Sequence, residues 1–237
     1  MIQTEGIFVG GSAISAPIIG EDFNWSGSDG TYQVLDDGGG NWRIKFLSSG
    51  TFTPLKNMVI DAFLVGGGGG SGSSYCGAGG AGYTTTVRSV VLTANTAYSI
   101  VVGAAGTNGN PSSAGGKTTA FTASAAGGKN TSNGTSSSKR PGGAGGSGGA
   151  GYVSPVATTT GGTDGGDGTS SATTGGKGQG TTTREFGEAD GTLYASGGGS
   201  NLTATVSNSG NGGRNGITSI EPADGIVVIR QHKEVAA

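Results

Sequence analysis

The 237-residue chain contains a single cysteine, Cys76, and a single histidine, His232. No intrachain disulfide can form, and the three or four soft ligands of a structural zinc site cannot be gathered within the chain. Charge is scarce as well. With 13 basic and 15 acidic residues the formal charge is −2, so no basic surface is available to hold a phosphate backbone, and nucleic acid is not an expected partner. Long apolar runs are absent. The longest, residues 59–65, reads Val-Ile-Asp-Ala-Phe-Leu-Val and is interrupted by Asp61. It falls far short of the roughly 20 residues that cross a bilayer. The N-terminus lacks a basic-then-apolar pattern, so the sequence predicts a soluble chain without Sec export or membrane insertion. No stretch carries a helical period.

Reactive constellations are missing too. Gly116-Lys117-Thr118 approaches a phosphate loop, but the required first glycine falls at Pro111. Thr163-Asp164-Gly165-Gly166-Asp167-Gly168 is faintly like a calcium turn, yet it occurs once and without a stacking apolar position. His232 follows the last predicted strand in a polar tail, with no orienting acid and no Gly-x-Ser-x-Gly elbow in view. Glu185, Glu188 and Asp190 are close enough to suggest a glycosidase pair, but solvated loop charge is the stronger reading. The expectation is no enzyme, no cofactor and no metal. Cys76 is expected as a small residue in a tight loop.

What the chain has is glycine, 54 residues of it. Leu, Ile, Val and Phe together supply 41 residues, about 17%, below the roughly 20% at which disorder becomes the default, but the accompanying high net charge is lacking. The apolar residues that remain are placed as strands. In residues 42–46, Trp-Arg-Ile-Lys-Phe, apolar side chains alternate with cations and share one face. The near-continuous run 59–65 suits a central strand covered on both faces. Further strands are predicted at 83–92, 98–102, 192–195, 202–206 and 225–230.

Between Gly103 and Gly191 the large apolar residues are Phe121, Tyr152, Val153, Val156 and Phe186, too few for an ordinary core. Glycine clusters at 142–151, 161–168, 175–180 and 197–216 fit either a flexible linker or a bundle of extended, polyproline-II-like segments whose backbones touch. Apolar strands on both sides of the clusters favour the bundle, because pairing 59–65 with 226–230 pins its ends together. The predicted fold is all-β: an antiparallel β-sandwich core extended by a bundle of polyglycine-II segments. The expected organisation is an N-terminal attachment arm or extension (1–40), a glycine-rich β domain (41–231) and a polar C-terminal tail (232–237).

Residues 41–53 (Asn-Trp-Arg-Ile-Lys-Phe-Leu-Ser-Ser-Gly-Thr-Phe-Thr), leading to Asp61-Ala62-Phe63-Leu64-Val65 and five glycines, resemble the glycine-rich domain of phage and prophage tail proteins. Residues 79–86, 98–103 and 224–230 match in the same order, so the resemblance spans about residues 32–231. It implies a virion component, polyglycine-sandwich-like, that displays host-binding loops on a rigid scaffold. The sequence departs from the adhesin pattern in its long Thr/Ser-rich segments, such as 131–138 and 158–174. Exposed aromatics and planar cations in otherwise plain loops are the expected receptor contacts: Tyr75, Lys139, Arg140, Tyr152, Arg184 and Tyr194. Tyr152 and Tyr194 fit equally well as plugs between glycine layers.

The leading function is thus a tail-tip or tail-fibre adhesin on the virion exterior, recognising a host surface glycan or protein. The alternative is a structural virion protein, a head decoration or fibre component, without receptor binding. The arm is expected to contact other virion proteins and the assembly to be a homo-oligomer, a trimer before other states. Ice binding would ask for a strict three-residue glycine period and disulfides, which the sequence lacks.

Overall fold

The computed structural model describes residues 22–27, 31–134, 141–151, 183–199, 206–214 and 220–232. These form ten strands: β1 (Phe23–Trp25), β2 (Tyr32–Gly38), β3 (Asn41–Phe46), β4 (Gly50–Pro54), β5 (Met58–Val65), β6 (Thr84–Leu92), β7 (Tyr98–Val101), β8 (Thr118–Ala120), β9 (Ala123–Ala125) and β10 (Ile226–Gln231). A 3-10 turn at Glu185–Gly187 is the one helical piece among the described residues. Two five-stranded sheets result, ordered β1-β4-β7-β8-β9 and β2-β3-β10-β5-β6, and every pairing is antiparallel. The architecture is an all-β sandwich, as the alternation of apolar residues predicts.

The expected closure is present: β10 pairs with β5 in the register Ile226↔Val65 through Gln231↔Ile60, and with β3 on its other side. Side chains of alternate parity then separate. Ile44, Phe46, Ile60, Ala62, Leu64, Val227 and Ile229 face the other sheet and meet Phe23, Phe52, Ile100 and Phe121, all buried. Ring pairs such as Phe46–Phe52 at 5.6 Å and Phe52–Phe121 at 6.3 Å, both edge-to-face, fill the middle of this core. On the opposite face of β5 and β10, Phe63, Val65, Ile226 and Val228 are also buried, against Phe186, Tyr194 and Ala195. That two-sided burial explains why residues 59–65 read as continuous rather than alternating.

Several expectations need correction. The N-terminal extension does not end at residue 40, because β1 pairs with β4 and β2 with β3 within the two sheets. Both strands are short on aliphatic alternation and are held by pairing with stronger neighbours. Residues 192–195 form no strand; Leu193 makes one isolated bridge with Arg184. Most of the strand predicted at 202–206 lies outside the described residues, as do residues 1–21. His232 is no loose tail residue, since its amide donates to Val59 O at 2.9 Å and continues the β5 pairing.

The glycine segments leave the open end of this sandwich and bond to one another in a three-residue cycle. In residues 66–70, Gly66 N donates to Tyr83 O, Gly67 N to Gly116 O and Gly68 N to Ala223 O; Gly69 and Gly70 then return to Gly80 O and Ser113 O. Their carbonyls cycle likewise, with Gly67 and Gly70 accepting from Gly128 and Thr131, Gly68 from Gly106 and Gly69 from Gly213. One segment is therefore bonded to six others. Residues 78–83 repeat the pattern, donating in turn to Ala150, Gly213, Lys129, Ser147, Gly210 and Ala126. A Cβ on Gly67 would overlap the carbonyl of Ala104, and one on Gly68 that of Asn211. Glycine is needed here for space, and the backbone polar groups are satisfied with no ladder of the pleated kind.

Candidate functional site

The far end of the glycine bundle is where its segments turn. Residues 71–77, 107–113 and 129–134 meet there, next to Arg214 and to Ile220–Glu221, and three side chains tie them together. Asn108 Oδ1 accepts from Ser71 N at 2.8 Å, while its Nδ2 donates to Ile220 O at 2.8 Å. Thr131 Oγ1 donates to Gly77 O at 2.6 Å and accepts from Gly72 N at 3.2 Å. Asn133 Oδ1 accepts from Ser73 N at 2.7 Å and Ser74 N at 3.3 Å, and its Nδ2 donates to Ser73 Oγ at 3.1 Å. Asn and Thr suit this work because a short polar side chain can imitate a backbone partner in a turn. Cys76 is buried in the same place, its thiol donating to Gly72 O at 2.8 Å. The outward surface is polar: Ser73, Ser74, Asn110, Ser113 and Asn130 are exposed beside the charged Lys129 and Glu221, and Tyr75 stands among them, 42% exposed with φ at +48°.

Of the predicted contact residues, Tyr75 thus sits on the displayed surface. Lys139, Arg140 and Tyr152 lie outside the described residues. Arg184 is half-buried, its Nη1 donating to Gly191 O at 3.0 Å, away from the tip. For Tyr194, read in the sequence as an exposed contact or equally as a plug, the exposed contact needs correction: it is buried at 6% exposure against Phe63, ring centroids 5.5 Å apart, with its hydroxyl donating to Glu185 Oε2 at 3.2 Å. Burial and the Glu185 charge push its phenol well above the ordinary tyrosine range.

Tyr194 belongs to a strap, residues 183–195, that covers the outer face of β3, β10 and β5. The carboxylates expected as solvated loop charge at 185 and 188 are ion-paired instead. Glu185, 1% exposed, accepts from Arg43 at 2.5 Å and lies 3.4 Å from Lys45, while Glu188 accepts from Arg230 at 2.6 Å. Arg43 also donates to Asp37, and that hydrogen bond raises its guanidinium further above an already high value despite burial. Under the strap, Asp61 is fully buried and meets Arg230 at 3.3 Å, Arg88 at 3.2 Å and His232 Nδ1 at 2.6 Å. Burial alone would raise its carboxyl, but hydrogen bonds from His232, Ser89 N and Arg230 outweigh it and hold Asp61 below the usual carboxylate range. Phe186, at φ +56°, stacks under the Arg230 guanidinium at 4.2 Å. The interruption of the apolar run at Asp61 was the sequence signal for this buried network.

Reading residues alone also missed Asn108, Thr131 and Asn133, because Asn is common in any glycine-rich turn and nothing local says which carbonyl will be near. Among the described residues no group of three His, Cys, Asp or Glu side chains could hold a metal ion. No described helix is long and apolar enough to cross a membrane.

Comparison with known proteins agrees with the architecture at one level. No curated protein matches the chain. The family described as "glycine-rich domain" matches residues 47–230, from just after β3 into β10, and so takes in β4 to β9, most of β10 and the described glycine segments, while β1, β2 and β3 precede it. This chain belongs to that glycine-rich domain family.

Proposed function

We propose that the protein is a display module of a phage tail tip or tail fibre, in which the loops at the far end of the glycine bundle bind a host surface glycan or protein. The observation that carries this reading is the tip itself: loops joined by Asn108, Thr131 and Asn133, on segments each bonded to many neighbours, present Tyr75 on a polar surface. A surface organised before contact loses little conformational entropy on binding, and an exposed aromatic in its centre supplies contact area at low ordering cost. The three-residue hydrogen-bond cycle supports polyglycine-II packing as the source of the rigidity, with three residues per turn and six neighbours per segment. Attachment to other virion proteins is assigned to the sequence ahead of β1, since β1 and β2 are occupied within the sheets.

The test is adsorption of the purified chain to a panel of bacterial cells. Tyr75→Ala should lower binding at least about tenfold, the effect of a lost interface anchor, while leaving the thermal transition in place. Adsorption unchanged in this variant would reject the tip as the binding surface. It would leave a virion structural role as the better account.

A further inference from the structure

The outer face of the second sheet holds a separate constellation, remote from the tip. β6 carries a bulge where Ile60 pairs with Val90 and Ala62 with Val87, so Arg88 and Ser89 together oppose Asp61. The bulge puts Ser89 at φ +57°, a left-handed conformation uncommon for a non-glycine residue, and turns its side chain outward. There Ser89 Oγ lies 3.1 Å from His232 Nε2, and His232 Nδ1 lies 2.6 Å from Asp61 Oδ1. Asp61 is fully buried and Ser89 exposed, so the acid is shielded and the hydroxyl is accessible.

We propose that Ser89, His232 and Asp61 act as nucleophile, base and orienting acid, giving the domain the capacity to hydrolyse an accessible carboxylic ester, such as a small O-acyl group carried on the surface of a larger molecule. The order of atoms is what this chemistry requires: a hydroxyl on one imidazole nitrogen and a carboxylate on the other, which fixes the tautomer that leaves Nε2 free to accept a proton. In the forward step Ser89 Oγ bonds to the ester carbonyl carbon and its proton passes to Nε2. The carbon–alkoxy bond then breaks, and the leaving alkoxide takes that proton. Water, deprotonated by the same nitrogen, cleaves the acyl-serine and restores the hydroxyl. Arg88 and Arg230 share the Asp61 carboxylate, 3.2 and 3.3 Å away, and draw off part of its support for an imidazolium. The expected acceleration from His232 is therefore about a hundredfold, at the low end of general-base catalysis.

The experiment uses the full chain and a fluorophosphonate probe, followed by intact mass and peptide mapping, with release of 4-nitrophenol from 4-nitrophenyl acetate as the turnover readout. The expected result is one adduct, on Ser89, absent in Ser89→Ala, with labelling slowed about a hundredfold in His232→Gln, which can keep a hydrogen bond to Asp61. The urea-unfolded chain is the second reference, because the relay exists only in the fold: it should label about a hundredfold more slowly than the folded chain. An adduct on another residue, no adduct at Ser89, or folded and unfolded chains labelling at equal rates would overturn the proposal.

Discussion

The sandwich and the glycine bundle solve the same problem by opposite means. In the sandwich, Phe46, Phe52, Leu64 and Ile229 fill the space between sheets, and stability comes from apolar surface removed from water. In the bundle there is almost no side chain to remove from water. Gly67 and Gly68 bring backbones so close that a carbonyl occupies the place a Cβ would take, and cohesion comes from hydrogen bonds and close backbone contact. Adding a methyl should harm one region as removing several harms the other. The two share β5 and β10, whose ends at Val65 and Ile226 are directly continuous with the glycine segments.

The largest effect should come from the sandwich. Phe46→Ala, at a site with no exposed surface, is expected to cost about 3–5 kcal/mol, read as a shift of the urea midpoint. Gly68→Ala is the counterpart. Its new methyl meets the Asn211 backbone, which has no rotamer to yield, so a loss of about 3 kcal/mol is expected, at the upper end for overpacking. A Gly68→Ala variant as stable as the parent would break the comparison, because the bundle would then be looser than its hydrogen bonds imply. Gly38 provides a control: nothing lies within 4 Å of its would-be Cβ, and only its φ of +78° opposes alanine, so about 1 kcal/mol is expected.

At the tip, Asn133→Ala removes the acceptor for Ser73 N and Ser74 N. It should cost about 1 kcal/mol or less yet speed amide exchange in residues 71–77 while leaving β5 protected. The smallest effects are set by pH and belong to the sandwich face. Asp61 sits below its ordinary 3.8 when folded, so the stability its partners add is full above that pH and is lost as pH falls through and below it. Tyr194 is displaced the other way. Its neutral form contributes fully below pH 10.0, the ordinary value, and the contribution is lost as pH rises beyond it. Denaturation midpoints measured across both limits check the two signs, and a Tyr194→Phe variant should flatten the alkaline limb.

Much of the sandwich was legible in the sequence. Alternation in Trp42-Arg43-Ile44-Lys45-Phe46 and the apolar run ending at Val65 located β3 and β5, and the matching run at 226–230 supplied their common partner. β8 and β9 were not legible, because Thr118–Ala120 and Ala123–Ala125 carry no strong β signal and become strands by pairing with β7 and each other. Tyr194 was open to two readings in the sequence, an exposed contact or a plug, and only the placement of the strap over Phe63 buries it. His232 had no visible acid partner because Asp61 lies 171 residues away and reaches it across two paired strands.

Sequence alone determined the class of the molecule: periodicity of two makes strands, and five successive glycines after a buried strand exclude an ordinary core. These are local or compositional properties, and each is decided by steric and solvation terms that a residue carries with it. Tertiary structure decided the rest. Which glycine faces which carbonyl, which asparagine closes the tip, and that Ser89, His232 and Asp61 stand in one line depend on contacts between residues distant in the chain. A hydrogen bond has a direction and a range of about 3 Å, so only the folded backbone can say whether two such groups meet.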